Sequence, residues 1–211
     1  MSKSEHILDV AERLFNEFGY TAVGVDLIRD EAQVSKTSMY RHFGSKSLLI
    51  EAVLARRHQS FEASLGSALA ESWAAGELVD PSKHAVPLKH TDSAGGSKLA
   101  KGADTAQARL DLLLNWHFDW FARPDFKGCM FMHALAEFKG VDDGIAAKAI
   151  QHKAWLKSLI AGIVGPGSAD AAVRIESLMT FIEGMIVRAE FGEVLGNTEL
   201  YRRAAMNLLR A

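Results

Sequence analysis

The chain has 211 residues, a net charge of −2 and 48% hydrophobic residues, a composition that excludes fibrous and disordered proteins and suits a buried core. A single cysteine excludes an intramolecular disulfide, and no run of about 18 apolar residues predicts a membrane span. We therefore expect a cytoplasmic globular protein without an N-terminal signal segment.

A first helix is predicted near the N-terminus, with Ser4 as its cap and Gly19 as its end. Two helices of about seven residues cannot hold themselves folded in water, so this first helix is expected to bury the back of the next two. Its apolar residues recur at three- and four-residue steps, at Ile7, Val10, Ala11, Leu14, Phe15 and Phe18.

Two short helical patterns follow between Val25 and Lys46 and meet at a tight turn. In the first pattern Val25, Ile28 and Ala32 share one apolar face. Ser35 is predicted to cap the second, because its hydroxyl can accept a backbone N–H of the first turn. This arrangement predicts a helix-turn-helix.

The second of these helices is predicted to present a donor-rich face. Val34, Met39 and Phe43 are expected to face inward. Such an outer face suits the major groove of DNA, where base edges offer acceptors. The residues predicted to project outward are Lys36, Thr37, Ser38, Arg41 and His42, and those predicted to contact phosphate are Tyr40, His42 and Lys46.

Charge is segregated along the N-terminal region. Residues 1–34 hold three Lys or Arg against seven Asp or Glu, whereas residues 35–58 hold five against one. The small net charge of the chain therefore hides a positive segment, which coincides with the predicted recognition helix.

Residues 7–54 resemble the N-terminal domain of TetR-family transcriptional regulators. The matching motifs are Phe15 to Tyr20, Ile28, Ala32, Val34-Ser35, Ser38-Met39-Tyr40, His42-Phe43 and Ser45 to Leu48. The chain departs from the family pattern at four positions. Gln33 replaces the usual turn glycine, Arg29 replaces a small residue, and Gly24 and Val25 replace hydroxyl residues that often touch phosphate.

The rest of the chain shows helical periodicity and no strand pattern. Ser45 is predicted to cap a long helix running through Leu48 and on to Trp73, followed by a surface loop from Gly76 to Ala103 and by further helices. The prediction is an all-α protein with an N-terminal three-helix helix-turn-helix domain over residues 1–58. A larger helical domain for effector binding and dimerisation is predicted over residues 59–211.

The resemblance implies a homodimer, with residues 168–210 as the interface, because a single recognition helix reads few base pairs. Phe181, Met185 and Phe191 add apolar surface there, although a role in the monomer core stays open. The resemblance also implies an effector pocket. Its candidate residues, each of which is alternatively plain core, are Trp116, Trp120, Phe121, Met130, His133, Trp155 and Met179.

Other patterns favour ordinary structural roles. Cys129 and His133 share a helical face, but two ligands do not make a metal site. Asp142 and Asp143 suit the cap and first turn of a helix. We find no catalytic constellation, so no enzyme activity, cofactor or metal is expected.

The functional hypothesis is a homodimeric repressor that a small-molecule effector releases from a palindromic operator. The alternative is a helical ligand-carrier or protein-interaction module whose helix-turn-helix no longer binds DNA.

Overall fold

The computed structural model of the chain describes residues 2–75, 103–165 and 170–211. Within these ranges it has ten α-helices and no strand, as the sequence predicts. The helices are α1 (Lys3–Phe18), α2 (Val25–Glu31), α3 (Lys36–Phe43), α4 (Lys46–Phe61), α5 (Ser67–Ala75), α6 (Ala103–Phe121), α7 (Met130–Phe138), α8 (Asp143–Val164), α9 (Ala171–Glu190) and α10 (Thr198–Arg210).

Side-chain capping sets the beginning of α1, α3 and α4. Ser35 and Ser45 accept the backbone N–H groups of Ser38 and Leu48, so both predicted caps are confirmed. The prediction of Ser4 as the first cap is wrong, because Ser2 caps α1 and forms a capping box with Glu5. The helix therefore begins two residues earlier than the predicted cap indicates.

A further boundary differs from its prediction. The long helix from Ser45 does not run unbroken, since α4 ends at Phe61 and a π-helical segment, Glu62–Gly66, precedes α5. Leu48 is also 52% exposed and lies outside the apolar stripe assigned to it. At the last helix, Thr198 is the first helical residue, and Asn197 occupies the cap position without a side-chain bond.

The described chain divides into two compact units, Met1–Glu62 with Lys127–Trp155, and Ala63–Phe126 with Leu156–Ala211. The domain boundary after residue 58 stays a proposal, because the first unit also contains α7 and much of α8. Residues 76–102 of the predicted loop and residues 166–169 lie outside the described ranges.

In the first unit α1 packs against α2, α3 and α4. The apolar stripe of α1 is buried as predicted, except that Phe18 is 55% exposed. The core that backs the helix-turn-helix consists of Ile7, Ala11, Leu14, Phe15, Tyr20, Val23, Ile28, Met39, Leu49 and Val53. Burial of these side chains supplies the stability that two short helices lack.

In the second unit α6 packs against α5, α9 and α10. Arg202 of α10 forms an ion pair with Asp111, donates to Asn115 at 2.7 Å and lies over the Phe118 ring. The core includes Leu110, Leu113, Leu114, Leu178, Ile182, Ala205 and Leu209. No helix in the described ranges is long and apolar enough to cross a bilayer.

Candidate nucleic-acid interface

Helix α3 has one buried face and one exposed face. Met39 is 2% exposed and anchors the buried side. The exposed side carries no acidic residue, since none occurs in α3. Its exposed residues are Lys36, Thr37, Tyr40, Arg41 and His42. The helix therefore offers hydroxyl, phenol, guanidinium, imidazole and ammonium donors on one accessible surface.

Ser38 does not belong to that surface. Its side chain is 7% exposed, and its hydroxyl oxygen has no hydrogen-bond partner among the described residues. The prediction that Ser38 projects outward with Lys36 and Arg41 is wrong, because Ser38 lies on the same side as Met39. A DNA contact by this hydroxyl would require α3 to turn about its axis.

The turn between α2 and α3 is made without glycine. Gln33 has a φ of 53° and is the one non-glycine residue with positive φ among those described. L-residues other than Gly, Asn and Asp adopt this left-handed region at a cost. The departure of Gln33 from the family pattern is thus accommodated by backbone strain, with the turn closed by bonds from Gln33 N to Asp30 O and from Val34 N to Arg29 O.

Acidic side chains of α2 pair with basic groups of α2 and α3. Asp26 lies 2.9 Å from the Arg29 guanidinium and 3.4 Å from the Lys36 ammonium. Arg29 also pairs with Asp30 at 2.7 Å. The positive charge of Arg29 is therefore neutralised within α2, and Asp26 partly neutralises the charge of Lys36.

Lys46 opens α4 and is partly buried. Burial lowers the pKa of its ammonium, and the negative charge of Glu137 partly offsets that change. Arg56 and Arg57 were counted in the positive segment, but they pair with Asp9 and Glu12 of α1. The positive charge available for phosphate around α3 therefore comes mainly from Lys36, Arg41 and Lys46.

Helices α7 and α8 hold the helix-turn-helix in place. The Glu137 carboxylate accepts the backbone N–H groups of Tyr20 at 3.0 Å and Thr21 at 2.6 Å. Burial raises the pKa of Glu137, but hydrogen bonds from Thr21 and Tyr20 outweigh it and leave the pKa below its ordinary value. Gly19 precedes Tyr20 with a φ of 79°, a conformation that favours glycine.

A second carboxylate acts at the start of α8. Asp142 accepts the backbone N–H groups of Gly144 and Ile145, which confirms it as the predicted cap. The pKa of Asp142 is lowered chiefly by a hydrogen bond from the Ser47 side chain, and then by the backbone N–H groups of Ile145 and Gly144. The segment of α7 and α8 thus contacts both the end of α1 and the beginning of α4.

Comparison with known proteins agrees with this geometry. The sequence model for bacterial regulatory proteins of the tetR family matches residues 7–53. This match covers the helix-turn-helix and the start of α4. The predicted resemblance over residues 7–54 is confirmed, and the match ends within α4.

A curated relative matches about a third of the chain. The HTH-type transcriptional activator FasR of Mycolicibacterium smegmatis is 41% identical over 63 residues, which is 30% of this chain and 29% of that protein. The matched region thus spans less than a third of the activator's length.

Solved structures match over nearly the whole chain. A TetR-family transcriptional regulator from Streptomyces coelicolor aligns with a TM-score of 0.69 and 21% identity, covering 100% of this chain and 94% of that one. The reduced form of E. coli NemR aligns with a TM-score of 0.72 and 16% identity, covering 98% and 97%. At these identities the structures show a shared fold.

The effector candidates fall into both units. In the second unit, Trp116, Trp120 and Phe121 form an aromatic cluster. The ring centroid of Trp120 lies 5.7 Å from that of Trp116 and 5.6 Å from that of Phe121. Trp120 and Phe121 are 6% and 5% exposed, which is the burial of core residues. Met179 lies half-buried on α9. An effector role for this group stays a prediction.

The remaining candidates belong to the first unit. Met130 is buried and its carbonyl accepts a hydrogen bond from the Tyr20 hydroxyl. Trp155 lies edge-on to His58, with ring centroids 5.3 Å apart, and His133 is half-buried on α7. Their effector role is likewise untested.

The predicted Cys129 and His133 pair gains no third ligand, since no group of three or more His, Cys, Asp or Glu side chains in the described ranges could hold a metal. Instead the Lys153 ammonium donates to the Cys129 sulfur at 3.3 Å.

Sequence reasoning missed a cleft in the first unit. None of its lining residues was among the effector candidates; they are Leu54, Ala55, His58, Gln59, Glu62, Lys148 and Gln151. The signal available was a polar stripe at helical spacing on α4, which by itself is indistinguishable from a solvated face.

Proposed function

We propose that this TetR-family chain is a transcriptional regulator that binds DNA through α3. The observation that carries the proposal is the exposed, donor-rich face of α3 set against the buried Met39. An α-helix fits the major groove, and Arg, Lys and Thr side chains meet the acceptors of base edges there. Tyr40, His42 and Lys46 are assigned to phosphate.

The proposed active form is a homodimer on a palindromic operator. Two recognition helices must dock in successive major grooves roughly 34 Å apart to read enough sequence. Exposed apolar side chains near the C-terminus support an interface within residues 168–210, at Val173, Phe191, Leu195 and Leu200. Met185 is 1% exposed and belongs to the chain's own core, so it does not contribute to that surface.

The proposed mode of action is repression relieved by a small-molecule effector. An effector acts only through different affinities for the DNA-competent and DNA-incompetent arrangements. FasR, which is 41% identical to this chain over 63 residues, is a transcriptional activator. A reporter placed behind the operator distinguishes the two signs of action, because deletion of a repressor raises expression and deletion of an activator lowers it.

Paired substitutions test the assignment of base and phosphate contacts. Lys36→Ala and Thr37→Ala should relax sequence preference, whereas Lys46→Ala should weaken all duplexes alike and reduce the salt slope by about one. Arg123→Ala removes a positive charge in the second unit and serves as the control. Equal effects of Lys36→Ala and Lys46→Ala on every duplex would contradict the assignment.

A folded dimer with no affinity for any duplex would favour the alternative function, a helical ligand-carrier or protein-interaction module.

A further inference from the structure

The cleft in the first unit has a volume of about 290 Å³ and lies between α4 and α8. Leu54 and Ala55 supply its apolar lining, and polar side chains supply the rest. Its volume is close to the lower end of the range for small-molecule sites, which is about 300–1,000 Å³. The cleft suits a compact ligand with a short hydrocarbon body.

Hydrogen-bond donors dominate the polar lining. Lys148 has no hydrogen-bond or ion-pair partner among the residues that the structure describes, and neither do the amides of Gln59 and Gln151. Glu62 is the single acidic residue in the lining. An ammonium and two amides therefore converge on the cleft with unused donors.

His58, which lines the cleft, is paired with the buried His152. Nδ1 of His58 lies 3.1 Å from Nδ1 of His152, so one of these nitrogens donates and the other accepts. His152 is 3% exposed and stacks on Phe131 with ring centroids 3.6 Å apart, which holds its ring in place.

The neighbour of His58 favours one tautomer. Nε2 of His58 lies 3.6 Å from a Glu62 carboxylate oxygen, which attracts a hydrogen on Nε2. His58 then accepts from His152 through Nδ1 and carries its own hydrogen on Nε2, where Glu62 lines the cleft. Both ring nitrogens of His58 therefore face polar neighbours, which fixes the ring at one side of the cleft.

We propose that this cleft binds a small organic carboxylate and that such a molecule is the effector class of the regulator. The second half of this proposal rests on the effector-relieved function proposed above. A carboxylate accepts from Lys148 and from the glutamine amides, and a charge-assisted hydrogen bond of the kind that Lys148 donates is stronger than a neutral one. Its hydrocarbon body contacts Ala55, because Leu54 is 0% exposed and lies beneath the surface of the cleft.

The position of the cleft on α4 connects it to the DNA-binding helix. The cleft residues Ala55 and His58 lie on either side of Arg56 and Arg57 in α4. Arg56 and Arg57 pair with Asp9 and Glu12 of α1. The same helix begins at Lys46, directly after α3 and its following turn. A ligand that favours one rotation of α4 against α1 therefore biases the placement of α3.

Titration of the full-length protein with benzoate in the absence of DNA tests the site. Calorimetry should show saturable binding, and the imidazole resonances of His58 and His152 should shift with the same midpoint. Benzylamine, which has a similar ring and the opposite charge, should not bind. Absence of saturable binding at about 10 mM benzoate, a concentration that occupies even weak sites, would overturn the proposal, as would preferential binding of benzylamine.

Matched lysine variants locate the binding. Lys148→Met should weaken benzoate binding about tenfold, the effect of losing one charge-assisted contact. Lys157→Met removes a lysine of the same helix that pairs with Glu176 and should leave binding unchanged. Equal effects of the two variants would overturn the site.

Duplex affinity measured with and without benzoate distinguishes the proposed carboxylate site from the proposed effector role. Benzoate binding that weakens duplex affinity supports both the site and the effector role. Benzoate binding that leaves duplex affinity unchanged supports the carboxylate site and contradicts the effector role.

Discussion

The hydroxyl of Tyr20 donates a hydrogen bond to the carbonyl oxygen of Met130, 2.9 Å away, across 110 residues of sequence. Tyr20 is fully buried, and burial raises the pKa of its phenol, so the hydroxyl stays protonated as a donor. Its ring also lies 5.1 Å from Phe15 and 6.0 Å from Phe138, measured between centroids. The end of α1 is thereby joined to α7.

Removal of this hydroxyl should destabilise the first unit. Tyr20→Phe keeps the ring contacts and loses one buried hydrogen bond, so the free energy of unfolding should fall by about 1 kcal/mol. Urea denaturation of the full-length protein measures the change. Tyr201 is a half-buried residue of α10, and Tyr201→Phe is the control for loss of a phenol hydroxyl. An equal or smaller loss for Tyr20→Phe would contradict the importance of the contact to Met130.

The Glu137 carboxylate should make stability depend on pH. Its pKa in the folded protein lies below the ordinary value of 4.5, so its contribution is complete above that pH and is lost as pH falls through the folded value. Glu137→Gln should therefore be less stable than the parent at pH 7, with the difference shrinking at acid pH. Thermal unfolding of both proteins at several pH values gives the test, and a difference that grows below pH about 4 would contradict it.

Neutralisation of Asp26 should strengthen DNA binding. Asp26 attracts both Arg29 and Lys36 beside α3, so Asp26→Asn should tighten binding to all duplexes by about two- to tenfold at low salt and less at high salt. Fluorescence anisotropy across a salt series measures the effect. Asp125→Asn, at an exposed ion pair in the second unit, is the control. Weaker binding by Asp26→Asn would mean that Asp26 orients Lys36 for its contact.

Ser38 and Thr37 should differ sharply despite their adjacency. Ser38→Ala removes a buried hydroxyl without a described partner, so stability should stay equal or rise by up to about 1 kcal/mol and duplex affinity should not change. Thr37→Ala removes an exposed donor and should alter sequence preference. Loss of specificity in Ser38→Ala would show that α3 rotates when it binds.

Gln33 should respond to relief of its backbone strain. Gln33→Gly allows a φ of 53° without steric cost, and after the added entropy of the unfolded chain the net gain should be about 0.5–1 kcal/mol. Gln33→Ala keeps the Cβ atom and should not gain stability. Equal stability of the glycine and alanine variants would contradict strain at this turn.

The sequence predicts the head well because its signals are local. Caps such as Ser35 and Ser45, the apolar stripe of α1 and the positive φ of Gly19 depend on neighbouring residues. The prediction failed where spatial neighbours decide, as for the buried Ser38 and for the π-helical break after Phe61. The pairing of Glu137 with Tyr20 joins distant segments, and no periodicity in either segment indicates it.

The most direct test of the central proposal is selection of bound duplexes from a random DNA pool by the full-length protein at about 0.15 M salt, where phosphate attraction alone is weak. We predict enrichment of a palindrome whose half-sites lie about one helical turn, or a multiple of it, apart. Arg41→Ala should lose that enrichment while Arg123→Ala keeps it. A folded, dimeric protein that enriches no sequence would contradict the account.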